Sequence, residues 1–222
     1  MLAAAGWQGR AEDGPLLDPC CGAGTIAIEA AQIACGIAPG LLRRFAFERL
    51  IPFQASAGDW QALKAAAQAR IHASAVPILA SDVSFRMVDF ARRNAERAGV
   101  AGAITLNGGD ALERPAPALP PGMPGTLMLN PPYGERIEVA GKAARPSAED
   151  RDTPGDFFPR LAAHWKRAYT QHPAGWTAGV LSPDMKLPGA MRLKASLRVP
   201  MWNGPIECRL FRFELVAGSA RD

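Results

Sequence analysis

No apolar run in the sequence approaches the ~20 residues that a membrane-spanning helix needs. The first residues, Met1 to Trp7, also lack the basic stretch of a secretory leader. Both absences lead us to expect a cytosolic (cytoplasmic) protein with no membrane partner. The four cysteines, Cys20, Cys21, Cys35 and Cys208, form no CxxC pair and no disulfide-framework spacing, so reduced thiols are expected. The three histidines, His72, His164 and His172, have no second ligand at helical spacing, and no metal is assigned. Charge of one sign is not in large excess either. The 25 basic against 21 acidic residues give +4, which leans toward a polyanionic partner but falls short of a nucleic-acid-binding tail. What is present is 222 residues, 48% of them hydrophobic, enough to bury one substantial core. A single domain over 1–222 is expected.

Along the chain, Leu16-Leu17 runs as a short strand into Asp18-Pro19, a glycine turn follows, and Thr25 to Cys35 carries Ile26, Ala30 and Ile33 at helical spacing. Gly36 to Gly58, with Pro39-Gly40, Arg43, Arg44, Phe45 and Phe47, interrupts the pattern as an irregular crossing. Asp59 can cap a helix with Trp60, Leu63, Ala67 and Ile71 on one face, and Val76 to Ala80 supplies the next strand. Ser84 can cap a further helix whose Val88, Ala91, Ala95 and Ala98 face a core, ended by Gly99. Ile104–Leu106 and Thr126–Leu129 follow as strands. Strands alternating with helices predict a doubly wound α/β fold, because parallel strands need long crossovers. At the end, Ser196–Pro200 and Ile206–Leu215, joined by a tight turn, predict an antiparallel hairpin with its second strand internal. The shift of its apolar set from Ile206, Cys208 and Leu210 to Phe211, Phe213 and Leu215 implies a bulge or burial on both faces. Trp165, Trp176 and Trp202 are expected to pack rather than stack on bases.

Gly22-Ala23-Gly24-Thr25-Ile26-Ala27 fits GxGxxA between strand and helix, a pattern shared by nicotinamide and S-adenosylmethionine folds. The residues before it discriminate. Asp18 at the strand end would repel a dinucleotide pyrophosphate but suits a sulfonium and an ammonium, so Asp18, Pro19, Cys20, Gly22, Gly24 and Thr25 fit S-adenosylmethionine better. Asp82 is placed to accept from ribose hydroxyls and Asp110 from the adenine amine. Taken singly, either could simply start a turn. Cys20 and Cys21 read as small loop residues rather than nucleophiles, since nothing near them in sequence activates a thiol.

The most specific signal is Asn130-Pro131-Pro132-Tyr133 at the end of the fourth strand. This tetrapeptide looks like the signature of methyltransferases acting on planar amino nitrogens. Together with Asp18 to Thr25, with Gly134-Glu135-Arg136 and with Asn203-Gly204-Pro205-Ile206-Glu207-Cys208, it resembles the RlmL-type (THUMP-associated, UPF0020-like) rRNA guanine-N2 methyltransferases. The resemblance covers nearly the whole chain. It implies a class I methyltransferase (Rossmann-like) sheet, mostly parallel with a carboxyl-terminal antiparallel hairpin. It implies S-adenosylmethionine as cofactor and the N2 amine of a guanine in large-subunit (23S) ribosomal RNA as acceptor. It also implies an RNA-binding THUMP domain ahead of this chain, which is therefore expected to be an amino-terminally truncated catalytic part.

An exocyclic amine is a poor nucleophile while its lone pair is delocalised into the ring, so it needs orientation more than a strong base. The Asn130 side-chain oxygen and the Pro131 carbonyl can each accept an N–H, Pro131 and Pro132 stiffen the loop, and Tyr133 can stack on an extruded base. Asn130 also borders the cofactor side of the loop. Arg136 can contact a phosphate or pair with Glu135 or Glu138, and residues 139–155, with little to bury, read as a loop beside the site. Other readings stay open: an adenine-N6 methyltransferase on DNA or RNA, a glutamine-amide methyltransferase, a truncated non-catalytic RNA-binding remnant and, more distantly, a nicotinamide oxidoreductase.

Overall fold

The structure is a computed structural model and describes residues 1–119, 121–131 and 156–217. Seven strands form one sheet: β1 Leu16–Asp18, β2 Ile78–Asp82, β3 Ile104–Gly108, β4 Gly125–Leu129, β5 Trp176–Ser182, β6 Ala195–Asn203 and β7 Ile206–Leu215. Their order is β3-β2-β1-β4-β5-β7-β6. The first five run parallel, and β7 runs against both β5 and β6. The doubly wound sheet finished by an antiparallel hairpin is therefore the observed architecture.

The central strands are apolar on both faces because helices cover both. Leu16 belongs to one core with Ile78, Ala80 and Met128, roofed by the helices α2 Thr25–Ala34 and α4 Phe85–Arg97. Leu17, Leu127 and Leu129 belong to the other, under α5 Phe157–Ala168 with its fully buried Leu161 and Trp165. Each leucine enclosed this completely contributes roughly 1.5–3 kcal/mol of transfer free energy, so β1 and β4 are the firmest part of the molecule. Gly125 opens β4 because Trp176 lies across it; a methyl group there would sit 2.5 Å from the indole. The short helices α1 Leu2–Ala5 and α6 Leu187–Ala190 flank the two cores, and α3 Ala57–Gln68, whose one buried residue is Ala67, contributes to neither.

Several expectations shift. α2 buries Ala27, Ala30, Ala31 and Ala34, while Ile33 is 43% exposed. Nearly every position of this helix is apolar, so spacing could not choose the face; small side chains let the helix lie close on the sheet. α3 starts at Ala57, before Asp59, leaves Leu63 exposed and ends at Gln68, short of Ile71, which is exposed as well. Its Trp60 packs instead in an aromatic cluster with Phe45, Phe47 and Phe53 from the irregular crossing. β2 begins two residues later than expected, because Ser74 ties the preceding turn through Val76 and Pro77 has no N–H to give the ladder. The apolar shift in β7 is resolved as burial on both faces, Cys208 and Leu210 in one core and Phe211, Phe213 and Leu215 in the other. The irregularity lies opposite, between Ala195 and Leu197 of β6. Trp165 and Trp176 are buried, but Trp202 is 66% exposed, which overturns its packing role.

Among the described residues no helix is long and apolar enough to cross a membrane.

Candidate active site

The strand order reverses at β1, which pairs with β2 on one side and β4 on the other, so this is the switch point where open α/β sheets bind ligands. The register makes a notch there. Asp18 is level with Ala80, while β2 continues two residues further to Asp82. On the other side Leu17 is level with Leu127, so β4 also outruns β1 before reaching Asn130. Asp18 is thus the floor of a recess in the strand ends, about 6–7 Å below the end of β2 and about 3 Å below the end of β4, taking ~3.3 Å per residue.

Over the recess lies the loop 19–24, fastened at several points. The Cys21 N–H donates to the Ser81 carbonyl at 2.9 Å and the Gly24 N–H to the Cys21 carbonyl at 2.8 Å. The Gly22 N–H donates to Asp82 Oδ2 at 2.9 Å, and Asn94 Nδ2 on α4 donates to the Ala23 carbonyl at 2.7 Å. Pro19 is buried, Cys20 and Gly22 are half-buried, and Thr25 is exposed at the first turn of α2. Gly24 has φ +87°, and an added Cβ would stand 3.0 Å from Ala91 Cβ and 3.2 Å from Ala91 Cα. Gly24→Ala is expected to lose about 2–4 kcal/mol of stability, from the left-handed backbone and the crowding of α4. Urea denaturation checks this, and a loss below ~1 kcal/mol would mean that the loop relaxes freely.

Asp18 is 1% exposed. Its Oδ1 accepts the Cys20 N–H at 3.3 Å, whereas its buried Oδ2 has no hydrogen-bond partner among the described residues. Burial pushes the carboxyl up to about 8; the Cys20 N–H opposes this and the negative Asp82 adds to it. A buried acidic oxygen without a donor suits a ligand that brings a positive charge or N–H groups, and disfavours a polyphosphate. Burial first, then Asp18 and Asp82, raise the Cys20 and Cys21 thiols. Both therefore stay protonated near neutral pH, in keeping with small loop residues.

Asp82 and Asp110 do start turns, through Ser84 N at 2.9 Å and Leu112 N at 2.8 Å. Asp82 also holds the glycine loop, and its carboxylate keeps lone pairs for a further donor. Sequence reasoning missed Ser81 and Asn94. Asn94 lies 71 residues from the carbonyl it holds, and no local pattern signals such a contact. Asn130 is exposed just past β4 and Pro131 is buried beside it. Pro132, Tyr133, Arg136 and residues 139–155 lie outside the described residues.

This sheet order, with its reversed strand inside the final hairpin and an acidic, glycine-looped recess at the switch point, defines a class I methyltransferase fold. The family described as UPF0020, RMKL-like, methyltransferase domain, matches residues 1–212, and the chain belongs to it. The chain is 38% identical, over its whole length, to a ribosomal RNA large subunit methyltransferase K/L of Shewanella loihica, of which it spans 29%. In structure it is similar to SMU.472, described as a candidate methyltransferase and solved with SAH: TM-score 0.74, 27% identity, 91% of this chain and 48% of that one. It is also similar to a protein of Listeria monocytogenes described as a predicted N6-adenine-specific DNA methylase, with TM-score 0.69, 26% identity, 91% of this chain and 47% of that one.

Proposed function

We propose that this chain transfers a methyl group from S-adenosylmethionine to the exocyclic N2 amine of a guanine in 23S ribosomal RNA, in the cytoplasm. The observation that carries the reading is the juxtaposition, on neighbouring strands, of the buried and incompletely bonded Asp18 with Asn130-Pro131. When bound, S-adenosylmethionine supplies an electrophilic methyl group. Asp18 offers a carboxylate to its positive charge, Asp82 and Asp110 offer acceptors to its ribose and adenine, and the loop 19–24 encloses it. Asn130 and Pro131 accept the amine N–H groups through the side-chain oxygen and the main-chain carbonyl, which turns the nitrogen lone pair toward the methyl group. Pro132 and Tyr133 complete the acceptor side in this reading, Tyr133 by stacking on the base. Residues 1–222 act as one catalytic domain in this reading, and the RNA-binding domain that the family resemblance implies ahead of it would add affinity for the RNA.

Methyl transfer from labelled S-adenosylmethionine to unmodified ribosomal RNA, with DNA as control and nucleosides identified by mass spectrometry, tests the proposal. N2-methylguanosine is the expected product. The second reading, adenine N6, draws on the similarity to the Listeria protein, and label in methyladenine would establish it at the first reading's expense.

A further inference from the structure

The β6–β7 hairpin takes no part in the recess, yet its register carries it to the same end of the sheet. Ser182, the last residue of β5, pairs with Arg209, and β6 and β7 continue beyond it through Met201↔Cys208, Trp202↔Glu207 and Asn203↔Ile206. At ~3.3 Å per residue the tip stands about 10 Å beyond the end of β5. β4 is separated from β6 by β5 and β7, so at ~4.8 Å per strand the arm rises about 14 Å to the side of Asn130. The arm is stiff, because β7 is paired along its length with β6 and with β5 up to Ser182.

At this tip Trp202 is 66% exposed and Ile206 40% exposed. Val199 and Met201 pack against the core containing Cys208 and Leu210. Alternation therefore directs Arg198, Pro200 and Trp202 to the opposite face, beside Phe211, Arg209 and Glu207. On the face that carries Trp202, Arg198 and Arg209 stand against the one anion Glu207, while Arg212 and Glu214 alternate to the opposite face. The anions pair locally with Arg209 and Arg212. β6 is the sheet edge, but Pro200 removes a donor there, Arg198 lies within it and Lys194 just before it. Such an edge is poorly suited to adding a strand from a second chain. What it offers is a large aromatic face with Arg198 and Arg209 further along the same side of the hairpin, the combination of stacking ring and cation that holds single-stranded nucleic acid by base stacking and phosphate contact.

We propose that this hairpin is an RNA-contacting arm, in which Trp202 stacks on an unpaired base outside the acceptor pocket and the arm's cations meet the neighbouring phosphates. The proposal rests on the reading of the chain as an RNA methyltransferase. Trp202→Ala is expected to raise the Kd for a ribosomal RNA fragment containing the acceptor, and the KM for that fragment, by about 10-fold. Trp202→Phe, which keeps a stacking ring, should recover to within about 3-fold. S-adenosylmethionine affinity and Tm should not move in either variant, since the side chain is outside both cores. Unchanged RNA Kd and KM in Trp202→Ala would overturn the arm while N2-methylguanosine formation by the wild type left the catalytic reading standing. RNA binding weakened by the substitution, in a protein that methylates no RNA, would support the arm and overturn the catalytic reading. A wild type that binds no RNA defeats both, and a dimer in light scattering that Trp202→Ala dissociates would assign the surface to a second copy instead.

Discussion

Replacing Asn130 with alanine is expected to lower kcat by about 10²–10³-fold while S-adenosylmethionine Kd stays within about 3-fold of wild type. The strand that presents Asn130 is buried at every position from Gly125 to Leu129, and Pro131 behind it is buried as well. The side chain itself is exposed, so its truncation opens no cavity and Tm should hold. In the proposed reaction, what disappears is one of the two acceptors that fix the amine. The remaining Pro131 carbonyl leaves the nitrogen free to rotate its lone pair back into conjugation with the ring, and displacement of even ~1 Å costs on the order of 10²-fold. The sequence reading also expects Asn130 to border the cofactor, and the same experiment separates the two proposed roles. A Kd for S-adenosylmethionine that rises in parallel with the fall in kcat would show that Asn130 holds the cofactor rather than the acceptor.

The parts of the fold that sequence reasoning reaches are those where local pattern and tertiary demand coincide. α4 alternates apolar and charged positions strongly, and Val88, Ala91 and Ala95 are buried as their spacing requires. α2 is apolar almost throughout, so its buried face is decided by closeness to the sheet and not by period. β1 is legible only through its neighbours: three residues are too short to show alternation, but the acidic end and the glycine turn after it locate the strand. In the site, Asp18 and the glycine loop are readable because their chemistry is written in consecutive residues, and Asp82 because it ends the next strand. The pins that hold them are not, since Ser81 and Asn94 meet the loop only through the folded packing of β2 and α4. Trp202 fails for a related reason. It sits in an alternating strand next to apolar residues, and only the register past the end of β5 reveals that nothing in the sheet lies over it.

Substituting Asp18 with asparagine is expected to weaken S-adenosylmethionine binding by about 10–100-fold at pH 8 and to remove a pH dependence that the wild-type carboxyl imposes. The carboxyl is buried at the floor of the recess and is pushed up to about 8. A positively charged ligand favours its ionised form, so below pH 8 binding must expel a proton and affinity rises with pH, by at most tenfold per unit, before levelling above about 8. The ligand's own amine titrates as well, which makes the Asp18→Asn profile the proper reference: the ratio of the two Kd values should widen as pH goes from about 6 to 8. The same shift has a consequence for the unliganded fold. Because the folded pKa lies above that of an ordinary carboxyl, the unfolded chain loses this proton near pH 4 and the folded chain only near 8. Between those limits the folded state binds more protons, so this group's contribution makes stability fall as pH rises, and it is flat above about 8. The carboxamide of the Asp18→Asn variant is isosteric and cannot ionise. The variant should therefore be more stable than wild type at pH 8 in the absence of ligand, while binding ligand worse. Isothermal titration of S-adenosylmethionine and urea denaturation, each from pH 6 to 9, measure the two halves. If wild type and variant show parallel Kd profiles, the carboxyl does not face the ligand's charge; if only the stability half holds, Asp18 is buried as described but the cofactor binds away from it.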